Sequence, residues 1–450
     1  MDVVSSYKIK ILHFHHLFDD TAKIYQKAVA FFISICEKHW HELCLLDRKE
    51  RNNQIERLTI KTKRNTNPVH DFNTCCYKMP SYLRRAAIAY AIGAYSSYRS
   101  NYENWLETDQ TDKPPRVELD HRTMPTLYRN NMFIRVDEST ARIKIFHQND
   151  WIWVTVKLRQ QDVNYINKHC LNDPDTIEQS PTLQKSGKRW HLVFPFLKKV
   201  TLPDLPIEKR IICAVDLGLN NNAVCSIMNA DGTVVARKFI NLTTEKDHLY
   251  TSLNRQKKAQ QHYNRKTPVL WKHVNDQNRE ISRKTTKEVI EFAKDHGVHV
   301  IVFEHLDFSN QKKKGPKKQR LALWRKKEIQ RLIEHQAHKN GMRISRICAW
   351  GTSRQAFDGS GRVKRGTYLQ NDKERYNYSI CVFPNGKTYN CDLNASYNIG
   401  ARYFVRELLK SKRVIAWLPK DAKDHPYGTG TTRTLSTLIK LNADLNASGV

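Results

Sequence analysis

The chain has 450 residues, more than one ordinary hydrophobic core supports, so about two to four domains are expected. Lysine and arginine number 76 against 45 acids, a formal charge of +31, and self-repulsion on that scale calls for a polyanionic partner, for which nucleic acid is the usual candidate. No window is long and apolar enough to span a membrane, and "MDVVSSYKIKILHF" lacks the order of a signal peptide, so a cytoplasmic protein without a membrane partner is expected.

Residues 1–16 alternate ("YKIKILHF") and read as a strand. From Asp19 to about Leu46 the period turns helical, with Asp19 or Asp20 available as the N-cap. A basic loop follows ("DRKERNNQIERLTIKTKRNTNP"), and Pro80-Ser81 opens another helix. In it Tyr90, Tyr95, Tyr98 and Tyr102 read as packing residues rather than base-stacking ones. Beyond Pro114-Pro115, "MFIRVD", "ARIKIFH", "WIWVTVKL" and "RWHLVFPF" are short alternating strands, which suggest a β-barrel or sandwich with a helical insertion after its first strand. The stretch "TLPDLP" reads as a linker.

Two or three strands follow within 207–250, then a long helix from about Val269 to Asp295, and Gly297 stops it. "VHVIVFE" is a strand with almost no polar interruption, as in a sheet covered on both faces. The last thirty residues lack a sustained period and read as a largely mobile tail. The ten cysteines form no CxxC pair, so neither a disulfide framework nor an intact zinc ribbon is legible. "CEKHWHELC" brings Cys36, His39 and Cys44 to one helical face but turns His41 away, which argues against a metal site.

Three acids stand out. Asp216 ends the apolar run "IICAVD", Glu304 ends "VIVFE", and Asp392 begins a helix in "CDLNASYNIGARYF"; consecutive members are 88 residues apart. Acids at strand carboxyl ends can converge with a third from a neighbouring helix. Three carboxylates suit a hard cation such as Mg²⁺, and two such ions can assist phosphodiester cleavage.

These three stretches, "AVDLGLNNNAVCSI", "VIVFEHLDF" and "CDLNASYNIGARYF", resemble the RuvC motifs of TnpB proteins and miniature type V CRISPR effectors, in the family's order of Asp, Glu, Asp. "EISRKTTKEVIEFAKDHG", "GMRISRICAWGTSR" and "LRRAAIAYAIGAYSSY" add to the resemblance, which covers about residues 207–404 by motif and the first 206 by layout. It implies a multidomain α+β chain: an N-terminal β-barrel-like wedge domain with a helical recognition insert, and a C-terminal RNase H-like (RuvC) α/β nuclease domain with a small insertion. The expected bounds are 1–18 and 113–206 for the wedge and 19–112 for the insert. They are 207–347 and 389–418 for the nuclease domain, 348–388 for its insertion and 419–450 for the tail.

The resemblance further implies an RNA-guided DNA endonuclease of the prokaryotic cytoplasm or nucleoid. Asp216, Glu304 and Asp392 would be its catalytic metal ligands, holding two Mg²⁺ ions for which Mn²⁺ can substitute. Its partners would be a guide RNA (a crRNA or a transposon-end RNA) and double-stranded target DNA, with base pairing doing most of the recognition. Two other readings stay open: a guided DNA-binding regulator without cleavage, and an unguided RNase H-like transposase or resolvase.

The family's two CxxC pairs are absent. "TSRQAFDGSG" has no cysteine, and in "CVFPNG" Cys381 stands alone with Pro384 in its partner's place, so no zinc is expected and "YNYSICVFPNGKTYNCD" should be a hairpin held by packing. The basic run "QKKKGPKKQRLALWRKK" follows the second motif. Its Lys312, Lys313, Lys314, Lys317, Lys318, Arg320 and Arg325 are the expected nucleic-acid contacts, neutralising phosphates without sequence preference.

Overall fold

A computed structural model describes residues 1–12, 16–63, 65–107, 110, 113–117, 123–263, 267–305, 325–370, 373–411 and 427–448. The chain divides into two compact units, Asp2–Lys199 and Val200–Val450, with Met1 joining the second.

In the first unit, β1 (Asp2–Lys10) enters α1 (Leu17–Leu43), α2 (Arg48–Thr59) and α3 (Ser81–Leu106), followed by β2 (Phe133–Arg135), β3 (Thr140–His147) and β4 (Asp150–Lys157). A short α4 (Gln160–Ile166) precedes β5 (Thr176–Glu178), β6 (Thr182–Ser186) and β7 (Arg189–Lys199). β1 pairs antiparallel with β7 along its whole length, from Asp2 opposite Lys199 to Lys10 opposite His191. The strands do not close into the barrel-like form expected from the sequence. They divide into two open sheets, β1-β7-β5 with β6 on β7, and β2-β3-β4. Among the described residues β1 and β4 are joined past their ends by the single Ile11–Leu158 bridge, and the chain turns into α4 directly after Leu158.

Two helical expectations are corrected in the same unit. α1 begins at Leu17, so Asp19 and Asp20 lie in its first turn rather than at its cap, where they favourably face the helix dipole. The first half of the basic stretch after it is not loop but α2, whose N-cap Asp47 accepts from the backbone N–H groups of Lys49 and Glu50. Only Ile55 and Thr59 of α2 are buried, which is why its sequence carries so little helical pattern. Tyr95, Tyr98 and Tyr102 of α3 pack in series, with Tyr95–Tyr98 and Tyr98–Tyr102 ring centroids 5.5 and 5.9 Å apart, whereas Tyr90 is 42% exposed and its hydroxyl accepts from Thr123 Oγ1.

The second unit is a three-layer α/β/α arrangement. Its sheet runs β10 (Val234–Ile240), β9 (Ala223–Met228), β8 (Ile212–Asp216), β11 (Val300–His305), β12 (Arg343–Cys348). β8, β9 and β10 are antiparallel neighbours, whereas β11 runs parallel to both β8 and β12. One face, carrying Cys213, Val215, Ile301 and Phe303, packs with Val289 and Phe292 of α6 (Pro268–Asp295) and Ile329 and Ile333 of α7 (Lys326–Lys339). The other, carrying Ile212, Ala214, Val300 and Val302, packs with α8 (Cys391–Lys410) and α9 (Leu435–Ala447). α5 (Thr243–Tyr263) precedes α6. Gly400 of α8 sits where a Cβ would lie 3.3 Å from the Ala214 Cβ, so the helix rests closely on β8.

α9 overturns the expectation of a largely mobile tail. Leu435, Leu438, Leu441 and Leu445 are all buried against the sheet, a spacing of three and four that is helical in retrospect. β13 (Lys364–Gln370), β14 (Lys373–Val382) and β15 (Thr388–Asn390) form a separate small sheet. β14 and β15 make the expected hairpin, closed by a buried cluster of Ala356, Val363, Cys381, Phe383 and Cys391. Among the described residues no helix is long and apolar enough to cross a membrane.

Candidate active site

Strand parity places two of the three acids. Side chains alternate along a strand, so Asp216 lies on the same face as Ile212 and Ala214, and Glu304 on the same face as Val300 and Val302. Both therefore point toward the layer that holds α8. β8 and β11 are neighbours in parallel register, with Val215 opposite Phe303, so the two acids follow at adjacent strand ends. Asp392 sits in the first turn of α8, where Asn390 caps the helix by accepting from the N–H groups of Asp392 and Leu393. All three acids line one cavity of about 480 Å³, together with Leu217–Asn220, Ser353, Arg365 and Tyr378.

The electrostatics agree with convergence. Burial, then the charges of Glu304 and, less strongly, Asp392, push the Asp216 carboxyl up to about 8 against the partial relief of Lys326 and Arg365. Asp392 Oδ2 accepts from Asn221 Nδ2 at 2.9 Å, and the turn that presents Asn221 needs Gly218, where a Cβ would lie 2.9 Å from the Asn221 carbonyl oxygen. The Gly-containing turn after Asp216 thus braces the third acid. Glu304 is held on both sides: Thr352 Oγ1 donates to its Oε1 at 2.5 Å, and Lys326 Nζ lies 3.5 Å from its Oε2.

Thr352 is itself anchored by a polar stripe on α8 that the sequence reading missed. Asn394, Asn398 and Arg402 recur every four residues and are buried. Asn398 Nδ2 donates to the carbonyls of Thr352 and Gln355, and Asn394 Nδ2 to that of Gln355. The Arg402 guanidinium donates to the carbonyls of Cys348, Trp350, Thr431 and Arg433. Burial pulls it down to about 10, leaving it charged at neutral pH. The signal was available, since Asn, Asn and Arg at i, i+4 and i+8 inside an apolar helix mark polar groups with buried partners.

Other expected contacts fall differently. Lys312, Lys313, Lys314, Lys317, Lys318 and Arg320 lie outside the described residues. Arg325 is described; it pairs with Glu328 at 2.5 Å and reaches Asn275 at 3.1 Å, and it is not in the lining of the acidic cavity. Its neighbour Lys326, not singled out from the sequence, is the cation beside Glu304. Arg365 and Tyr378, also missed, come from the small sheet, and no local pattern links them to the acids.

Among the described residues no three His, Cys, Asp or Glu side chains close on one point as a ready-made metal cage. The donor set on the cavity wall nevertheless fits a hard divalent cation: three carboxylates, with no thiol or imidazole among the lining groups. Their mutual repulsion, seen at Asp216, is what such a cation would relieve.

Comparison with known proteins gives the same direction. The profile of the Aq_aa04 family matches residues 5–147. The TnpB-like protein aq_aa05 of Aquifex aeolicus (strain VF5) is 26% identical over 246 residues, covering 49% of this chain and 76% of that protein. The uncharacterized protein aq_aa04 of the same organism is 30% identical over 101 residues, 20% of this chain and 56% of that one. Among solved structures, the Cas12f1–sgRNA–target DNA complex aligns with a TM-score of 0.52 at 15% identity, over 86% of this chain and 81% of the matched one. In sequence the chain is similar to TnpB-like proteins, and in fold to a miniature type V effector, the kinship that its three acidic motifs led us to expect.

Proposed function

We propose that the chain is an RNA-guided DNA endonuclease that hydrolyses phosphodiester bonds at the Asp216–Glu304–Asp392 cavity. The observation that carries the reading is the arrival of three carboxylates, from two adjacent parallel strand ends and a helix N-terminus, at one cavity. The sheet order and the two helical layers support an RNase H-like (RuvC) assignment for the second unit. The related Aquifex protein is named TnpB-like, and the Cas12f1 of similar fold was seen with sgRNA and target DNA. By that analogy this chain takes a guide RNA and a double-stranded DNA target, which its charge of +31 suits.

Asp216, Glu304 and Asp392 are the residues that would hold Mg²⁺ or Mn²⁺, and the ion would supply Lewis-acid charge and an activated water. The chain's own groups have separable tasks. Thr352 and Lys326 fix the Glu304 carboxylate, and Asn221 orients that of Asp392. Arg365, exposed and bonded to Ser353 Oγ at 3.1 Å, offers a cation to a phosphate entering the cavity. Tyr378, 53% exposed, presents a ring beside it. With one such cavity, the two strands of a duplex are cut in turn. The first unit, as the wedge and recognition part, grips the RNA scaffold and reads the flanking motif.

The test is to purify the chain after co-expression with its flanking genomic sequence, sequence any RNA that travels with it, and supply a plasmid library matched to that RNA. Metal-dependent cutting confined to matched plasmids is the expected result. Equal cutting of unmatched plasmids would remove the guide from the account.

A further inference from the structure

A second cavity, of about 420 Å³, adjoins the acidic one and shares its Gly218–Asn220 wall. α5, α6 and the start of α7 complete it, and its volume is that of a site for one small ligand. Apolar side chains, among them Leu253, Ile281 and Ile329, dominate the lining, and Tyr250 on α5 is 66% exposed. Its charged groups are poorly disposed toward an anion. Lys246 already donates to the Asn220 carbonyl and to Asn241 Oδ1, Arg325 is paired with Glu328, and Asp247 adds a negative charge.

What the cavity offers instead is a neutral donor. Asn222 lies on its wall and is only 8% exposed. Its Oδ1 accepts from the Leu242 N–H at 3.2 Å, which fixes the orientation of the amide. Its Nδ2 has no hydrogen-bond partner among the described residues and stays accessible at the cavity wall, so it is a donor that a ligand's acceptor can take. An apolar slot with an aromatic ring and a fixed amide donor, whose two cations are already hydrogen-bonded to the protein, matches a nucleobase, whose faces stack and whose edge carries carbonyl and ring-nitrogen acceptors.

We infer that this cavity takes one nucleobase of the strand being cut, adjacent to the bond presented to the acids. The inference rests on the nuclease reading for the identity of that strand. Held there, the base sets the register of the backbone in the acidic cavity, which phosphate contacts alone do not define.

The experiment uses the full chain in EDTA, with binding of a twelve-nucleotide oligothymidylate and of a twelve-unit abasic strand read by fluorescence anisotropy. Tyr250→Ala should weaken oligothymidylate binding between about 5- and 150-fold, the range found for removing a base-stacking side chain, and leave the abasic strand unaffected. Leu253→Trp, which fills the slot, should do the same. Equal loss on both strands, or no loss on either, overturns the inference. Base-dependent binding by a wild type that never cuts in Mg²⁺ would leave the base site standing and sink the nuclease reading. Cutting without base dependence would do the reverse.

Discussion

Asp216→Asn should stabilise the cation-free protein, and the gain should grow with pH. In the native chain the carboxyl is raised from 3.8 to about 8, first by burial and then by Glu304. Between those values the folded state holds a proton that the unfolded chain has released. Stability therefore falls as pH rises from about 4 to about 8 and is level above that. At about 1.4 kcal/mol for each tenfold change in proton affinity, the full cost is roughly 5–6 kcal/mol. Part of that cost belongs to the interacting Glu304 carboxyl rather than to Asp216 alone, which leaves about 2–3 kcal/mol for Asp216. Asparagine is nearly isosteric and carries no charge, so it should recover that amount. For a unit of this size the gain corresponds to a Tm rise of roughly 5–10 °C. Thermal unfolding in EDTA at pH 4 and pH 8.5 reads it: variant and wild type nearly coincide at the lower pH and separate at the higher. Mg²⁺ at pH 8.5 should raise the wild type but not the variant. A variant equal to or less stable than wild type at pH 8.5 would refute the crowding of charge at this cavity.

Two further substitutions separate support from chemistry. Arg402→Met removes the buried guanidinium that four carbonyls share and should cost about 3–5 kcal/mol in urea unfolding, with Arg402→Lys recovering only part. Thr352→Val keeps the shape but removes the donor to Glu304, costing about 1–3 kcal/mol and slowing cleavage roughly 10-fold or more, whereas Thr352→Ser restores both. An unchanged cleavage rate in Thr352→Val would show that the hydroxyl does not position Glu304.

The acids were legible because each sits where local pattern changes: Asp216 and Glu304 end unbroken apolar runs, and Asp392 opens an amphipathic helix. A continuous apolar strand implies a sheet covered on both faces, and the layers of α6–α7 and α8–α9 provide that cover. Elements with weak burial were not legible. α2 buries two residues, and α5 is polar over most of its length, so neither shows an apolar stripe. α9 had the stripe, but its polar positions are Ser, Thr and Asn, which read as coil by composition. Barrel closure depends on how strand ends meet, as at Ile11 and Leu158, and no single strand records that. Lys326, Thr352 and Arg365 reach the acids only through the fold, from segments whose own sequences read as a basic run or a loop.

The most direct measurement is single-turnover cleavage of a guide-matched duplex by the RNA-loaded protein in Mg²⁺, for wild type and for Asp216→Ala, Glu304→Ala and Asp392→Ala. Binding of the same duplex is followed in parallel. The account predicts metal-dependent cutting by wild type, a loss on the order of 10³-fold or more in each variant, and target binding retained in all four. A wild type that binds the matched duplex and leaves it whole would contradict the central claim and make the chain a guided DNA-binding regulator.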